Sequence, residues 1–257
     1  MKVLILLLIY LNIYASSIKL DYVGEFSIFG QIAIANISYI KTSKDYNITV
    51  RGSGTGIVGE LTNNKQYLIQ SIGKVKNGIL IPKKYIKSEM NVDYNKTRTY
   101  IFDHDHNKTI VKTDKRKKKT ISDFNIITLE YDISYEIIES NSTKEIDRVF
   151  YDDMISMLFN KRHKLLSLKK GETKTIIAAG SKDTQKGVIV KMIEYKDGKT
   201  TFSVSVKKDY LENGSEELFI ILDNDNIIYE TKIEGVLFFG DAKVRRKESN
   251  ILTPSND

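Results

Sequence analysis

"QIAIANISYI", residues 31–40, decides how the rest of this chain is read. Apolar, β-branched and aromatic residues recur there at a spacing of about two rather than about 3.6, which is the pattern of a strand and not of a helix. The same alternation, or a short β-branched and aromatic run, returns along the 257 residues on both sides of it. It is seen at residues 21–30, 45–52, 65–75, 84–94, 98–104, 108–114 and 124–137, and again at 173–180, 187–196, 200–208, 217–223, 226–233 and 235–244. The breaks are short and polar: "NN" at 63–64, "DHN" at 105–107, "KDG" at 196–198, "ENGS" at 212–215 and "DND" at 223–225. Breaks of this length and composition suit hairpins. The prediction is a mostly β protein, an antiparallel meander with one apolar face and one face of Lys, Glu and Asn. Two prolines, one of them in the tail, leave the strands uninterrupted. No repeat of fixed period and no dividing linker is visible, so residues 18–247 are read as one domain and residues 248–257 as a flexible tail.

The N-terminal residues "MKVLILLLIYLNIYASS" have Lys2, an apolar run from Val3 to about Tyr14, and small residues Ala15 and Ser17 behind it. This is a secretory signal pattern over residues 1–17 with Ile18 as the mature start. The apolar run is about a dozen residues, short of the ~20 that span a bilayer. An uncleaved anchor is the other reading, and a lipid-anchored form would need a cysteine that the chain lacks. The expected location is the periplasm of a Gram-negative bacterium. An exported chain without cysteine has no disulfides, so core burial alone must stabilise it, which a domain of this size can support. Six Asn-x-Ser/Thr triplets, at Asn36, Asn47, Asn95, Asn107, Asn141 and Asn213, read as chance matches in an Asn-rich bacterial chain.

The formal charge is +7, and much of the excess sits in "KRKKK", Lys115, Arg116, Lys117, Lys118 and Lys119. The plain reading is a solvated loop; the sharper one is a contact for anionic lipid head groups or cell-wall polymer. Nucleic acid is not an expected partner, since no aromatics interleave the cations.

One segment breaks the period of two. In "RVFYDDMISMLFNKR", residues 148–162, Phe150, Met154, Met157 and Leu158 fall at helical spacing. Asp152 and Asp153 stand early and Lys161 and Arg162 late, which complements a helix dipole. The spacing predicts one helix over about 150–162, packed on one open end or face of the sheet. Asp153 is expected to cap its start, with Ser156 bonded in the same turn and Arg162 at its carboxyl end.

"DMISMLFNKR", residues 153–162, resembles the Asp-x-Leu-Ser-Leu-Leu-Tyr-x-x-Arg segment of an exported bacterial family of unknown function, domain of unknown function three-one-zero-eight. Gly30, Ser71, Gly78, Pro82, Tyr85, Phe102 and Asp103 match further positions of that family, in order, while Lys161 replaces its apolar residue before the arginine. The resemblance implies a β-rich periplasmic protein with an incompletely closed, barrel-like sheet and no established activity. Its outline is similar to the periplasmic lipoprotein carriers, which hold acyl chains in a half-barrel.

Three enzyme-like constellations remain. Gly54, Gly56 and Gly59 in "SGTGIVGEL" spell a dinucleotide fingerprint, but no room follows for a crossover helix, so a Gly-rich turn into a short helical piece is expected. Ser156 and His163 would lie roughly 10 Å apart on a continuous helix, too far for nucleophile and base. In "IFDHDHNK", residues 101–108, His104 and His106 on a strand would face away from Asp103 and Asp105, and the third histidine is His163. A hairpin turn with Asp103 as a structural residue is preferred there to a metal site. No catalytic, cofactor-binding or metal-ligating residue is assigned, and no cofactor is expected.

The expected function is therefore non-enzymatic: binding or carriage of an apolar or amphipathic envelope molecule in the concavity of the sheet, into which "QIAIANI" and "GVLFFG" supply apolar positions. The alternative is an interaction module for another envelope protein acting along a sheet edge; a hydrolase or metal enzyme ranks third. Membrane contact is expected to be peripheral at most, and the oligomeric state stays open. N-terminal sequencing of the exported protein should begin at Ile18; a chain that retains Met1 would refute the processing site.

Overall fold

The computed structural model describes residues 16–180, 187–205, 217–225, 227–236 and 240–247. The expected signal segment up to residue 15, the tail from 248, the "ENGS" turn and the middle of "GVLFFG" lie outside these residues. The chain forms β1 (Ser16–Phe26), β2 (Gly30–Lys41), β3 (Asp45–Gly54), α1 (Gly56–Leu61), β4 (Gln66–Lys76), β5 (Ile79–Met90), β6 (Tyr94–Asp103), β7 (Lys108–Asn125) and β8 (Glu130–Ile146). After these come α2 (Ser156–Phe159), β9 (Thr173–Ile176), β10 (Val188–Lys196), β11 (Lys199–Ser205), β12 (Glu217–Asp223), β13 (Ile228–Val236) and β14 (Gly240–Arg246).

All strands belong to one 14-stranded antiparallel sheet in the order β8-β7-β6-β5-β4-β3-β2-β1-β14-β13-β12-β11-β10-β9. The sheet is an open meander, as the alternating sequence predicts. β1 is its middle, paired on one side with β2 and on the other with β14. β8 and β9 are its two edges, so the chain between them, residues 147–172, must travel from one edge to the other. It does so across the concave face, and we call it the strap.

The strap supplies one or two buried side chains to each of three apolar clusters. Val149 and Phe150 join Tyr85, Tyr100 and Phe102; Ile155 joins Leu20, Tyr22, Ile37, Tyr46, Ile48 and Leu80; Met157 and Leu165 join Ile176, Val188, Val190, Phe202, Ile220 and Leu222. The cluster members on each strand lie two residues apart, as Tyr46 and Ile48, Val188, Val190 and Met192, or Tyr100 and Phe102 do, because alternate side chains share a face.

The helix predicted over 150–162 contracts to the four residues of α2, followed by 3-10 turns at Lys161–His163 and Leu165–Ser167. Tertiary pairing overrides the helical spacing. Asp153 enters a parallel bridge with Ala179, and Ala179 N–H donates to the Asp152 carbonyl at 2.8 Å, so the first residues are extended. Asn160 closes the helix in an extended conformation because its amide is used on β5.

Two further expectations change. "KRKKK" is not a loop: Lys115 to Lys119 lie inside β7, where alternation sends successive cations to opposite faces and β8 places Glu139 and Glu136 opposite Arg116 and Lys119. The run at 124–137 is not one strand; residues 126–129 turn the chain, making β7 and β8 one long hairpin.

Pro82 sits within β5 at a register shift, where Ile72 pairs with Lys84 and Gly73 with Pro82. A bulge is a place in a sheet where a residue without an N–H is tolerated. Gly73 is required there, since a Cβ would meet the Ile81 carbonyl oxygen at 2.1 Å.

Phe150 is 2 % exposed in the strap, whereas Ile127 in the β7–β8 turn is 94 % exposed. Phe150→Ala should therefore cost about 3–5 kcal/mol in urea denaturation and Ile127→Ala less than about 0.5 kcal/mol; similar costs for both would contradict the strap as core.

Candidate functional site

The residues that the sequence singles out converge on the place where the strap meets β3, β4 and β5. Asp153 is fully buried, and its Oδ1 accepts from the Ile155 and Ser156 amides at 3.0 and 2.8 Å. Ser156 Oγ in turn accepts from the Asp153 amide at 2.9 Å, a reciprocal cap at the start of α2. The other carboxylate oxygen accepts from Ser71 Oγ, which lies 2.9 Å from Tyr46 Oη. With Ser71 donating to Asp153, the phenol donates to Ser71, giving a chain Tyr46 to Ser71 to Asp153 across the sheet and strap. Burial pushes the Asp153 carboxyl up to about 6, against the lowering effect of these hydrogen bonds. Burial, then the Asp153 charge, pushes the Tyr46 phenol up as well.

Beside this chain, Asn160 bonds both polar groups of Leu80: Nδ2 donates to its carbonyl at 2.9 Å and Oδ1 accepts from its amide at 3.3 Å. Nδ2 also donates to Asp152 Oδ1 at 2.8 Å. His163 Nε2 lies 3.1 Å and Arg162 Nη1 3.8 Å from Asp152 Oδ2, and Arg162 Nη2 donates to the Tyr151 carbonyl at 3.1 Å. The reason for this concentration of polar groups is geometric. β5 pairs with β6 only from Lys84 onward, so the backbone of Ile79 to Lys83 faces no strand on that side. The strap and His104 take its place: His104 Nε2 lies 2.7 Å from the Pro82 carbonyl oxygen.

The other expected residues are structural too. Gly78 has φ +75° beside Asn77 at φ 53°, the two left-handed residues of the β4–β5 turn. Tyr85 is buried against Gly180, whose absent Cβ would fall 2.6 Å from its ring. Phe102 is core, and Asp103 caps the His104 to Asn107 turn by accepting from the His106 amide at 3.0 Å. His104 and His106 serve different partners, and among the described residues no group of three or more Asp, Glu or His gathers as metal ligands. Ser156 and His163 do not meet; His163 is turned to Asp152.

The Gly-rich stretch makes α1. Gly56 takes φ +55°, and a Cβ on Gly54 would lie 3.1 Å from the Gly59 amide nitrogen, so these glycines let α1 lie directly on the concave face of β3. Beyond the strap, a cleft of about 290 Å³ opens between α1 and the sheet. Its floor is Gly24, Ala33, Ala35 and Gly52, small residues on β1, β2 and β3, and its walls include Val58, Tyr67 and Val244. A second depression of about 300 Å³, with Asn36, Arg51 and Gln66 at its rim, lies behind it on the other face of the sheet.

No family model, no curated protein and no solved structure matches this chain. The sequence reading missed Asp152, Asn160 and Tyr46 as members of the buried network, because a regular helix would have turned Asn160 away from β5. The signal available was polarity itself: Asp152, Asp153 and Ser156 interrupt an otherwise apolar run from Val149 to Phe159, which Asn160 closes.

A carboxyl whose folded-state pKa is raised above its unfolded value holds its proton longer in the native state. Its stabilising contribution is complete below the unfolded value near 3.8 and is lost as pH rises through about 6. Urea denaturation across that window should show the native protein losing stability relative to Asp153→Asn as pH rises; parallel curves would show that Asp153 does not titrate there.

Proposed function

We propose that the protein is an exported cell-envelope protein that binds or carries an apolar or amphipathic molecule without chemistry, holding its apolar part in the cleft beside α1. The observation that carries this reading is the floor of Gly24, Ala33, Ala35 and Gly52, which leaves about 290 Å³ between α1 and the sheet beyond the strap. Small-molecule sites begin at roughly 300 Å³ and are mostly apolar. The strap thus restricts the half-barrel idea from the whole concavity to one end of it. Burying about ten methylenes contributes roughly 8 kcal/mol before ordering costs, so affinity does not depend on a specific polar contact. The N-terminal signal pattern and the resemblance to the exported family of unknown function support the location and the class of ligand.

A second reading, an interaction module for an envelope protein, is favoured by the bare outer edge of β8, 17 residues with no second neighbour among the described residues. Mass spectrometry of the mature protein purified under native conditions separates the two. Co-purifying lipid, or saturable binding of a fluorescent fatty acid that Ala35→Phe weakens at least tenfold, is the expected result. Absence of lipid together with no effect of Ala35→Phe would transfer the function to the β8 edge.

A further inference from the structure

The β7–β8 hairpin extends past the sheet. The pairing of β6 with β7 ends at Tyr94 and Lys117, and from Lys119 opposite Glu136 to Asn125 opposite Glu130 the two long strands pair only with each other. These last rungs form a free arm roughly 20 Å long. Residues directly opposite share a face, so one face carries the rungs Phe124–Tyr131, Ser122–Ile133, Thr120–Tyr135 and Lys118–Ile137. The Phe124 and Tyr131 rings pack at 5.2 Å with a tilt of 58°, and the Lys118 ammonium lies 3.8 Å over the Tyr135 ring. Thr109 and Val111, of the opposite parity on β7, point to the strap, so this stripe is on the outer face of the sheet.

Phe124, Tyr131, Ile133, Tyr135 and Ile137 are all exposed, and the turn adds Ile126, Ile127 and Leu129 at 80 %, 94 % and 72 % exposure. The turn is built to present them. Asn125 Oδ1 accepts from the Ile127 and Thr128 amides, and Leu129 takes φ +57°, a conformation usual for Gly or Asn and strained for a leucine. The carboxylates of the arm are turned to one face as well. Asp123, Glu130, Asp132 and Glu136 all fall on the face opposite the stripe, whereas Arg116 and Lys118 share its face, with Glu139 beside Arg116 at 3.6 Å.

We infer that this arm is a membrane-docking element: its outer face lies flat on an anionic lipid bilayer, with the turn and aromatic stripe in the head-group region and Arg116 and Lys118 on lipid phosphates. Tyr and Phe with Ile suit an interface that is apolar on one side and wet on the other. Among the described residues both backbone edges of the arm are unpaired, which confines it to the interface and excludes the hydrocarbon core. A second copy of the chain fits less well. A two-stranded face about 20 Å long and about 10 Å wide offers roughly 200 Å², well short of the ~800 Å² per partner of a stable interface. The inference rests on the arm alone and is independent of the cleft.

The test is sedimentation of the mature protein with phosphatidylcholine vesicles, with and without phosphatidylglycerol. Binding is expected with phosphatidylglycerol, weakened by salt, and reduced about tenfold by Arg116→Gln/Lys118→Gln and by Ile127→Ser/Tyr135→Ser/Ile137→Ser. Lys117→Gln/Lys119→Gln, on the opposite face, should have little effect. Because the arm lies outside the three clusters, each variant should keep the native denaturation midpoint. Three results would overturn the inference: no binding to phosphatidylglycerol vesicles, equal loss from both cation pairs, or light scattering that shows a dimer dissociated by the serine variant.

Discussion

An antiparallel sheet that never closes leaves one face without a partner, and here a single chain crossing, fixed by the buried carboxylate of Asp153, covers it. Apolar contacts along the strap supply most of the burial, but they are non-directional and would tolerate sliding across a wide sheet. Hydrogen bonds to a carboxylate are directional. Asp153 holds α2 by two amides and reaches β4 through Ser71, and Asn160 reaches β5 through both polar groups of Leu80. The strap's position is thereby set to one residue on each of two strands. Its three groups of apolar side chains then fall into three separate clusters. The carboxyl's upward shift measures what this arrangement costs when the group ionises.

The strands were legible in the sequence because a half-covered antiparallel sheet imposes a period of two on every strand, as Tyr46 and Ile48 or Val188, Val190 and Met192 illustrate. What was not legible is whatever depends on a partner distant in sequence. Phe150, Met154, Met157 and Leu158 have helical spacing, yet Asp153 among them and Asn160 just after them are drawn to Ala179 and Leu80, some 26 residues ahead and 80 behind. The cationic block reads as a loop because five like charges in succession repel. In β7 alternation divides them between two faces, and β8 sets carboxylates and a tyrosine ring beside them.

The glycines show the same limit from the other direction. Gly54, Gly56 and Gly59 have the spelling of a phosphate-binding loop, and the length of chain that follows excludes the helix such a loop needs. What replaces it is a six-residue helix laid on β3 by the Gly54–Gly59 approach. The same preference for small residues continues at Gly52, Ala35, Ala33 and Gly24, where no described element is laid on them, and that discontinuity makes the cleft. Spacing in the sequence identified the Gly-rich turn and the short helix, while the close approach and the unfilled space beside it required the topology.

The β7–β8 arm stands apart from this economy. Burial accounts for isoleucine and tyrosine at alternate positions of a strand in much of this sheet, as at Tyr46 and Ile48, although Ile34, Ile40, Tyr67 and Ile189 are exposed singly. Beyond Lys117 no neighbouring strand and no strap remain among the described residues to provide it, and the arm's strand pairing is local to its own two strands. Its opening therefore disturbs neither Asp153 nor the clusters, which places the arm at the low-stability end of the fold, where elements that reorganise on contact are found. A surface with that freedom, apolar on one face and with its carboxylates turned to the other, is suited to a fluid interface, which requires no matching shape. The rigid strap and the adaptable arm are thus two answers to one constraint: the strap is what an open sheet needs on its concave side, and the arm is where the sheet's alternation continues after the protein's own covering has ended.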